Sequence, residues 1–153
     1  AGIFPGAGGE LVAHRLGDSF TTVVDAAAAD SAQNAMVCEC EMVSMAEIEH
    51  VARDESTHTL SGIRLRTRLG MGTCQGTFCA LRATALLEQR GISLAGSPTS
   101  AVRSFLQERW KGLRPALWGT QLKEAELAQA IYAATFDIGG APRPDDPKEQ
   151  NHA

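Results

Sequence analysis

All four cysteines of this chain fall in two short motifs, "MVCECEM" and "GMGTCQGTFCA", with 33 residues between Cys40 and Cys74. Cys38, Cys40, Cys74 and Cys79 thus read C-x-C, a long spacer, then C-x-x-x-x-C. Any fold this chain adopts has to decide what those sulfurs face. Four cysteines serve equally as two disulfides in a secreted protein or as four metal ligands in a reduced one. In C-x-C the alternate side chains of an extended strand lean to one face, an arrangement that suits convergence on a metal centre and strains a disulfide between neighbours. No stretch has the charged, apolar and small-residue regions of a signal peptide, so a reduced, intracellular chain is the expectation.

Four thiolates are the ligand set of an iron–sulfur cluster and also of structural zinc. Zinc sites more usually use C-x-x-C knuckles, and neither pair here has that form. A Rieske centre needs histidines paired with the cysteines, and none sits beside them. Two helix starts, near Ser44 and near Gly76, are expected to aim backbone N–H groups at the sulfurs and stabilise their anionic form. Gly72 and Gly76 leave room for amides to approach sulfur closely. Arg64, Arg66 and Arg68 lie between the pairs. Alternate helical positions diverge by about 200°, so at least two of the three are expected on a solvated face.

The rest of the chain reads as helices. Ser44 and Glu47 form an S-x-x-E capping box ahead of Met45, Ile48 and Ala52. "TLSGIRLRTRLG" puts Leu60, Ile63 and Thr67 on one side and stops by Gly70. Cys79, Ala83, Leu86 and Leu87 share a stripe that Gly91 ends. Pro98 opens a helix with Val102, Phe105, Leu106 and Trp110 on one face, ended by Gly112. Leu127, Ala130, Ile131 and Ala134 repeat the spacing once more. No alternating strand run appears, and the expected fold class is all-α: a small multi-helix domain with cysteine-bearing turns.

The organisation expected is a glycine- and alanine-rich lead-in over 1–36, a cysteine core over 37–92, a helical extension over 93–138 and a disordered tail over 139–153. With 153 residues and 44% hydrophobic content there is material for one core. A formal charge of −4 argues against nucleic-acid binding. No apolar run is long enough to span a bilayer, so direct membrane insertion is not expected. Ala1 is not an initiator methionine, and the chain is expected to be a piece of a longer polypeptide. "GMGTCQG" lacks the third glycine of a dinucleotide fingerprint and follows a basic helix instead of a strand. His14, His50, His58 and His152 lack partner spacing, Trp110 and Trp118 are expected as helix-core anchors, and no catalytic residue arrangement is found.

"VCECEMVSMAEIEHVARDES", "RLRTRLGMGTCQGTFCALRA" and "FLQERWKG…PALWG" resemble the C-terminal region of the family of anaerobic glycerol-3-phosphate dehydrogenase A subunits, from about Val37 to Ile131. The cysteine core is similar to that of the bacterioferritin-associated ferredoxin family, a small helical [2Fe–2S] fold. "FPGAGG" and "HRLGDS" look like the connector that leaves the family's flavin domain. The resemblance implies a bacterial parent oxidoreductase in which FAD oxidises sn-glycerol 3-phosphate to dihydroxyacetone phosphate and electrons pass through companion iron–sulfur subunits to membrane quinone. It implies a cytoplasmic location, peripheral at the inner membrane through partner subunits. Cys38, Cys40, Cys74 and Cys79 match the family's ligand positions. The four residues between Cys74 and Cys79 depart from the C-x-x-C of the smaller ferredoxins. Lacking the flavin domain, the chain is not expected to catalyse the dehydrogenation by itself. Its expected role is a [2Fe–2S] electron-transfer domain, with a structural zinc or metal-free docking module as the alternative.

Overall fold

A computed structural model of the protein describes residues 7–111 and 116–137. In chain order the elements are α1 (Ala7–Leu16), a single 3-10 turn (Gly17–Ser19), α2 (Phe20–Ala29), β1 (Met36–Cys38), β2 (Val43–Ser44), α3 (Met45–Ala52), α4 (Leu60–Thr67), α5 (Cys79–Gln89), α6 (Pro98–Trp110) and α7 (Gly119–Phe136). The all-α expectation holds, with one addition. β1 and β2 form a small antiparallel hairpin in which Met36 pairs with Ser44 and Cys38 with Val43, with an irregular step between. Strand propensity over so short a run is swamped in the sequence by the helical pattern that follows it.

Local chemistry sets most helix ends. At α3 the Ser44 side chain accepts from the Glu47 N–H and Glu47 answers to the Ser44 N–H, a complete capping box. At α4 and α6 the N-cap side chains of Thr59 and Ser97 accept from the Gly62 and Ser100 N–H, without the reciprocal bond, and Pro98 sits where its missing N–H is no loss. α5 closes in a Schellman arrangement: Ile92 N–H donates to Leu87 O at 3.0 Å and Gly91 N–H to Glu88 O at 3.0 Å, with Gly91 at φ +69°. α4 ends earlier than Gly70, because Arg68 itself turns left-handed at φ +68°. The expected stop at Gly112 and the tail over 139–153 lie outside the described residues.

The core joins Val43, Met45 and Ile48 to Leu60 and Ile63, and these to Ala83, Leu87, Phe105 and Leu106. Each fully buried Leu, Ile or Phe among them contributes about 1.5–3 kcal/mol. The stripes expected on α3 to α6 face this core. That on α7 does not: Leu127 and Ile131 are 57% and 55% exposed, and Tyr132 makes the contact instead. Helical periodicity identifies the element but cannot say which of two apolar faces meets a neighbour. Trp110 is a core anchor as expected, whereas Trp118 is exposed.

Residues 7–29, expected as part of the lead-in, form two helices. Their buried side chains Val12, Val23 and Ala27 pack with Ala46 of α3 in a second small cluster. Val23 and Ala27 at i and i+4 carry that contact, a signal hidden by the run of alanines around them.

Glu49 ties three parts of the fold together. Its carboxylate accepts from Arg53 Nη2 at 2.6 Å, Gln33 Nε2 at 2.6 Å and Arg90 Nη1 at 2.9 Å. Burial pushes its pKa up, but the hydrogen bonds from Arg53 and Gln33 and the charge of Arg90 outweigh it, and the net direction is down. The stabilisation is therefore complete above the ordinary Glu value of about 4.3 and is lost as pH falls through the lower folded value. In urea titrations between neutral and acid pH, Glu49→Gln is expected to be less stable than wild type near pH 7, with the difference closing on acidification. A difference that stays constant with pH would remove this role.

Candidate metal centre

Cys38 ends β1 and is buried, while Cys40 sits in the exposed hairpin turn. Cys74 lies in the turn-rich segment between α4 and α5, and Cys79 opens α5, buried. All four are free thiols. The expected convergence of the C-x-C pair as alternate residues of one strand is not what the chain does. The strand stops at Cys38, so the sulfurs pair across the two motifs instead. Cys40 Sγ lies 3.9 Å from Cys74 Sγ, and the Cys38 and Cys79 thiols act on one another electrostatically.

Left-handed backbone makes this possible. Met42, Arg68, Gly70, Gln75 and Gly76 all have positive φ, so such conformations cluster where the sulfur-bearing turns reverse direction. The residues between Cys74 and Cys79 that depart from C-x-x-C include Gln75 and Gly76, and they swing Cys79 onto the first turn of α5. At Gly72 a Cβ would lie 2.2 Å from Cys40 Cβ, and at Gly76 one would lie 2.4 Å from the Phe105 ring. The first glycine lets Cys40 pack against backbone; the second lets α6 close over the second motif.

Amides meet the sulfurs, though only partly where expected. Backbone N–H groups of Gly70 and Glu41 serve Cys38, and those of Gly76 and Phe78, at the approach to α5, serve Cys74. The start of α3 contributes none. Its Ser44 N–H goes to Glu47 Oε2 at 2.8 Å, Met45 N–H to Ala35 O at 2.9 Å and Ala46 N–H to Gln33 O at 2.9 Å. The capping box that reveals the helix is thus also part of what closes its N-terminus to the cysteines.

Cys38 and Cys79 shift one another in opposite directions. The Cys38 thiol is lowered to about 6, chiefly by its hydrogen bond with Cys79, with burial opposing. The same contact and burial push Cys79 up, as do the charges of Cys38 and Cys74. Burial is the main cause that raises Cys74. These sulfurs have a chemical demand that neighbouring protons meet poorly and a metal centre would meet well.

Arg68 is the arginine of the expected trio that reaches the site, donating from Nε to Glu41 Oε2 at 2.7 Å beside Cys40. Arg66 bonds Thr57 and Ser56, away from the cysteines. From α6, Arg109 donates to Gln75 Oε1, and from α7, the Tyr132 hydroxyl donates to Thr77 O, whose own hydroxyl donates to Cys74 O at 2.7 Å. Neither Arg109 nor Tyr132, nor Arg15 of α1, was anticipated from sequence, because each reaches its partner across at least 26 residues. His14 and His58 are exposed and His50 half-buried; His152 lies outside the described residues.

A ligand edge on a tetrahedral metal with bonds of about 2.3 Å is about 3.8 Å long, close to the Cys40–Cys74 separation. Among the described residues no group of three or more His, Cys, Asp or Glu side chains is placed to hold a single metal ion. Four sulfurs in these two motifs are the number of thiolate donors that a two-iron cluster takes.

Comparisons with known proteins agree. The family of BFD-like [2Fe-2S] binding domains matches residues 36–89. The anaerobic glycerol-3-phosphate dehydrogenase A subunit of Escherichia coli (strain K12) is 40% identical over 97 residues, covering 63% of this chain and 18% of that protein. The corresponding A1 subunit of Haloferax volcanii is 37% identical over 130 residues, 84% of this chain and 21% of that one. The HcnB subunit of hydrogen cyanide synthase from Pseudomonas aeruginosa is 41% identical over 44 residues, 29% of this chain and 9% of that protein. The chain therefore spans about a fifth of the dehydrogenase subunits it matches, 18% and 21% in the two cases. No solved structure matches it. Residues 36–89 are thus similar to the BFD-like [2Fe-2S] binding domains, and the chain is similar to part of the anaerobic glycerol-3-phosphate dehydrogenase A subunits.

Proposed function

We propose that Cys38, Cys40, Cys74 and Cys79 hold a [2Fe–2S] cluster and that the chain serves as an electron-transfer domain of an FAD-dependent glycerol-3-phosphate dehydrogenase. The observation that carries this reading is the cross-motif pairing of the sulfurs inside the segment that matches the [2Fe–2S] family. Such a cluster, when bound, accepts and releases a single electron. The chain's own residues supply the rest. The amides of Gly70, Glu41, Gly76 and Phe78 stabilise thiolate charge, and the exposed Cys40 brings the site to the surface, where a redox partner can approach.

The relatives are named as subunits, which supports companion subunits as partners. A flavin domain of the same parent polypeptide is the proposed electron donor, and quinone the eventual acceptor. Among the described residues no helix is long and apolar enough to cross a membrane, and we place the domain in the cytoplasm, peripheral to the inner membrane through those partners. The proposed unit that binds the cluster is 37–92, with the flanking segments 1–36 and 93–138 as its support.

The test is anaerobic preparation with iron, zinc and acid-labile sulfide measured on one sample. Red-brown protein with about two irons and two sulfides per chain, bleached by dithionite, is expected. Cys74→Ser is expected to abolish or shift that spectrum while helix content persists. Colourless protein with about one zinc, which also fails anaerobic reconstitution, would overturn the reading in favour of a structural site.

A further inference from the structure

We propose that Arg15, which lies outside the segment 36–89 matched to the [2Fe-2S] family, is a positioning residue for the sulfur of Cys40. The inference rests on the reading of Cys40 as a ligand, and it extends the site to the helix that precedes the cysteine core.

Arg15 leaves the last turn of α1 with its side chain 4% exposed and meets the fully buried Glu47, with Nη1 2.9 Å from Oε1. The same Nη1 donates to Met42 O at 3.2 Å, and Nη2 donates to Glu41 O. Those carbonyls belong to the two residues directly after Cys40. The other oxygen of Glu47 accepts from the Ser44 N–H at 2.8 Å and its hydroxyl at 3.0 Å. One guanidinium therefore joins the exposed turn that presents Cys40 to the buried start of α3.

The other side-chain ties of the turn are exposed: Arg82 Nη1 donates to Glu39 Oε1 at 3.3 Å, and Cys40 Sγ lies 3.8 Å from Thr73 Oγ1. The turn's residues Glu39 and Cys40 are exposed, and Met42 is left-handed at φ +51°. The Arg68–Glu41 ion pair is half exposed at its arginine, and pairs of that kind contribute little. Gly72 forms a wall behind Cys40. A planar fork with fixed N–H directions can specify two carbonyls and a carboxylate together, which a lysine cannot. If Arg15 served only to staple α1 to α3, an ammonium facing Glu47 would suffice.

That difference supplies the test, made on the full chain with Arg15→Lys, Arg15→Met and, as a control, Arg53→Ala, which breaks an ion pair of α3 away from the turn. Amide hydrogen exchange is read on the metal-free protein; iron loss to a chelator and the EPR spectrum of the dithionite-reduced form are read on reconstituted protein. Arg15→Lys is expected to keep the protection of α1 and α3 near wild type, while exchange across 39–43 and the rate of iron loss each rise by about tenfold or more. The EPR g-values are expected to shift in Arg15→Lys and not in Arg53→Ala. Arg15→Lys that matches wild type in both turn exchange and iron loss would overturn the proposal. So would loosening spread evenly over α1 to α3. Should wild type itself take up no iron and sulfide, the cluster reading fails; turn exchange in the metal-free protein still decides whether Arg15 holds the turn.

Discussion

Replacing Glu47 by alanine is expected to lower the stability of this protein by about 3–5 kcal/mol, the usual cost of leaving one member of a buried ion pair without its partner. Glu47 is 0% exposed and Arg15 opposite it nearly so. The substitution leaves the buried guanidinium without its counter-ion, bonded only to the carbonyls of Glu41 and Met42, and opens the capping box at α3, where the Ser44 N–H loses its acceptor. Urea denaturation at neutral pH measures the effect. The pair also makes a coupling prediction: Glu47→Leu combined with Arg15→Met removes both charges and leaves no unpaired ion, so the double variant is expected to lose much less than the sum of the single losses. Additive losses, or a Glu47→Ala effect below about 1 kcal/mol as at exposed pairs, would show that this ion pair does not join the lead-in helices to the core.

Gly76→Ala is expected to cost about 2–5 kcal/mol, from two separate causes. The backbone at Gly76 has φ +90°, a conformation that strains residues with a Cβ by about 1–2 kcal/mol. The added Cβ would also lie 2.4 Å from Phe105 Cε1 and 3.2 Å from Cζ, and overpacking of this kind costs about 1–3 kcal/mol. Phe105 is buried, and Gly70 lies beside Gly76 against the same edge of the ring, which leaves it little room to move. In the Gly76→Ala background, Phe105→Leu is expected to recover the packing part and leave the backbone part, so the two substitutions are sub-additive in denaturation. Full additivity would mean that the ring is not the obstacle. Because the Gly76 amide faces the Cys74 sulfur, Gly76→Ala is also expected to weaken retention of any metal held there.

Much of this protein can be read directly from local pattern. The capping box at Ser44 and Glu47, Pro98 at the head of α6 and Gly91 past the end of α5 mark boundaries because helix termini are satisfied by residues within a few positions of them. The stripes of α3 to α6 identify their buried faces by the same short-range logic. The four cysteines announce a metal or cluster site because that many sulfurs in two tight motifs has few other uses in a reduced chain.

Other features depend on which distant parts come together, and no local pattern encodes them. The pairing of Cys38 with Cys79 and of Cys40 with Cys74 follows from a hairpin that stops at Cys38 and from left-handed turns at Gln75 and Gly76. The exposed stripe of α7 and the exposed Trp118 look like core in the sequence, since periodicity is blind to which face has a neighbour. Arg15 looks like any surface arginine until α1 is laid against α3, where the carboxylate that caps a helix also becomes its counter-ion. Sequence by itself determined the helices α3 to α7, the capping box of α3 and the identity of the sulfurs, because backbone capping and side-chain periodicity act over a few residues. Tertiary structure alone decided which sulfurs face one another and what holds them there, because those contacts join segments 26 to 55 residues apart.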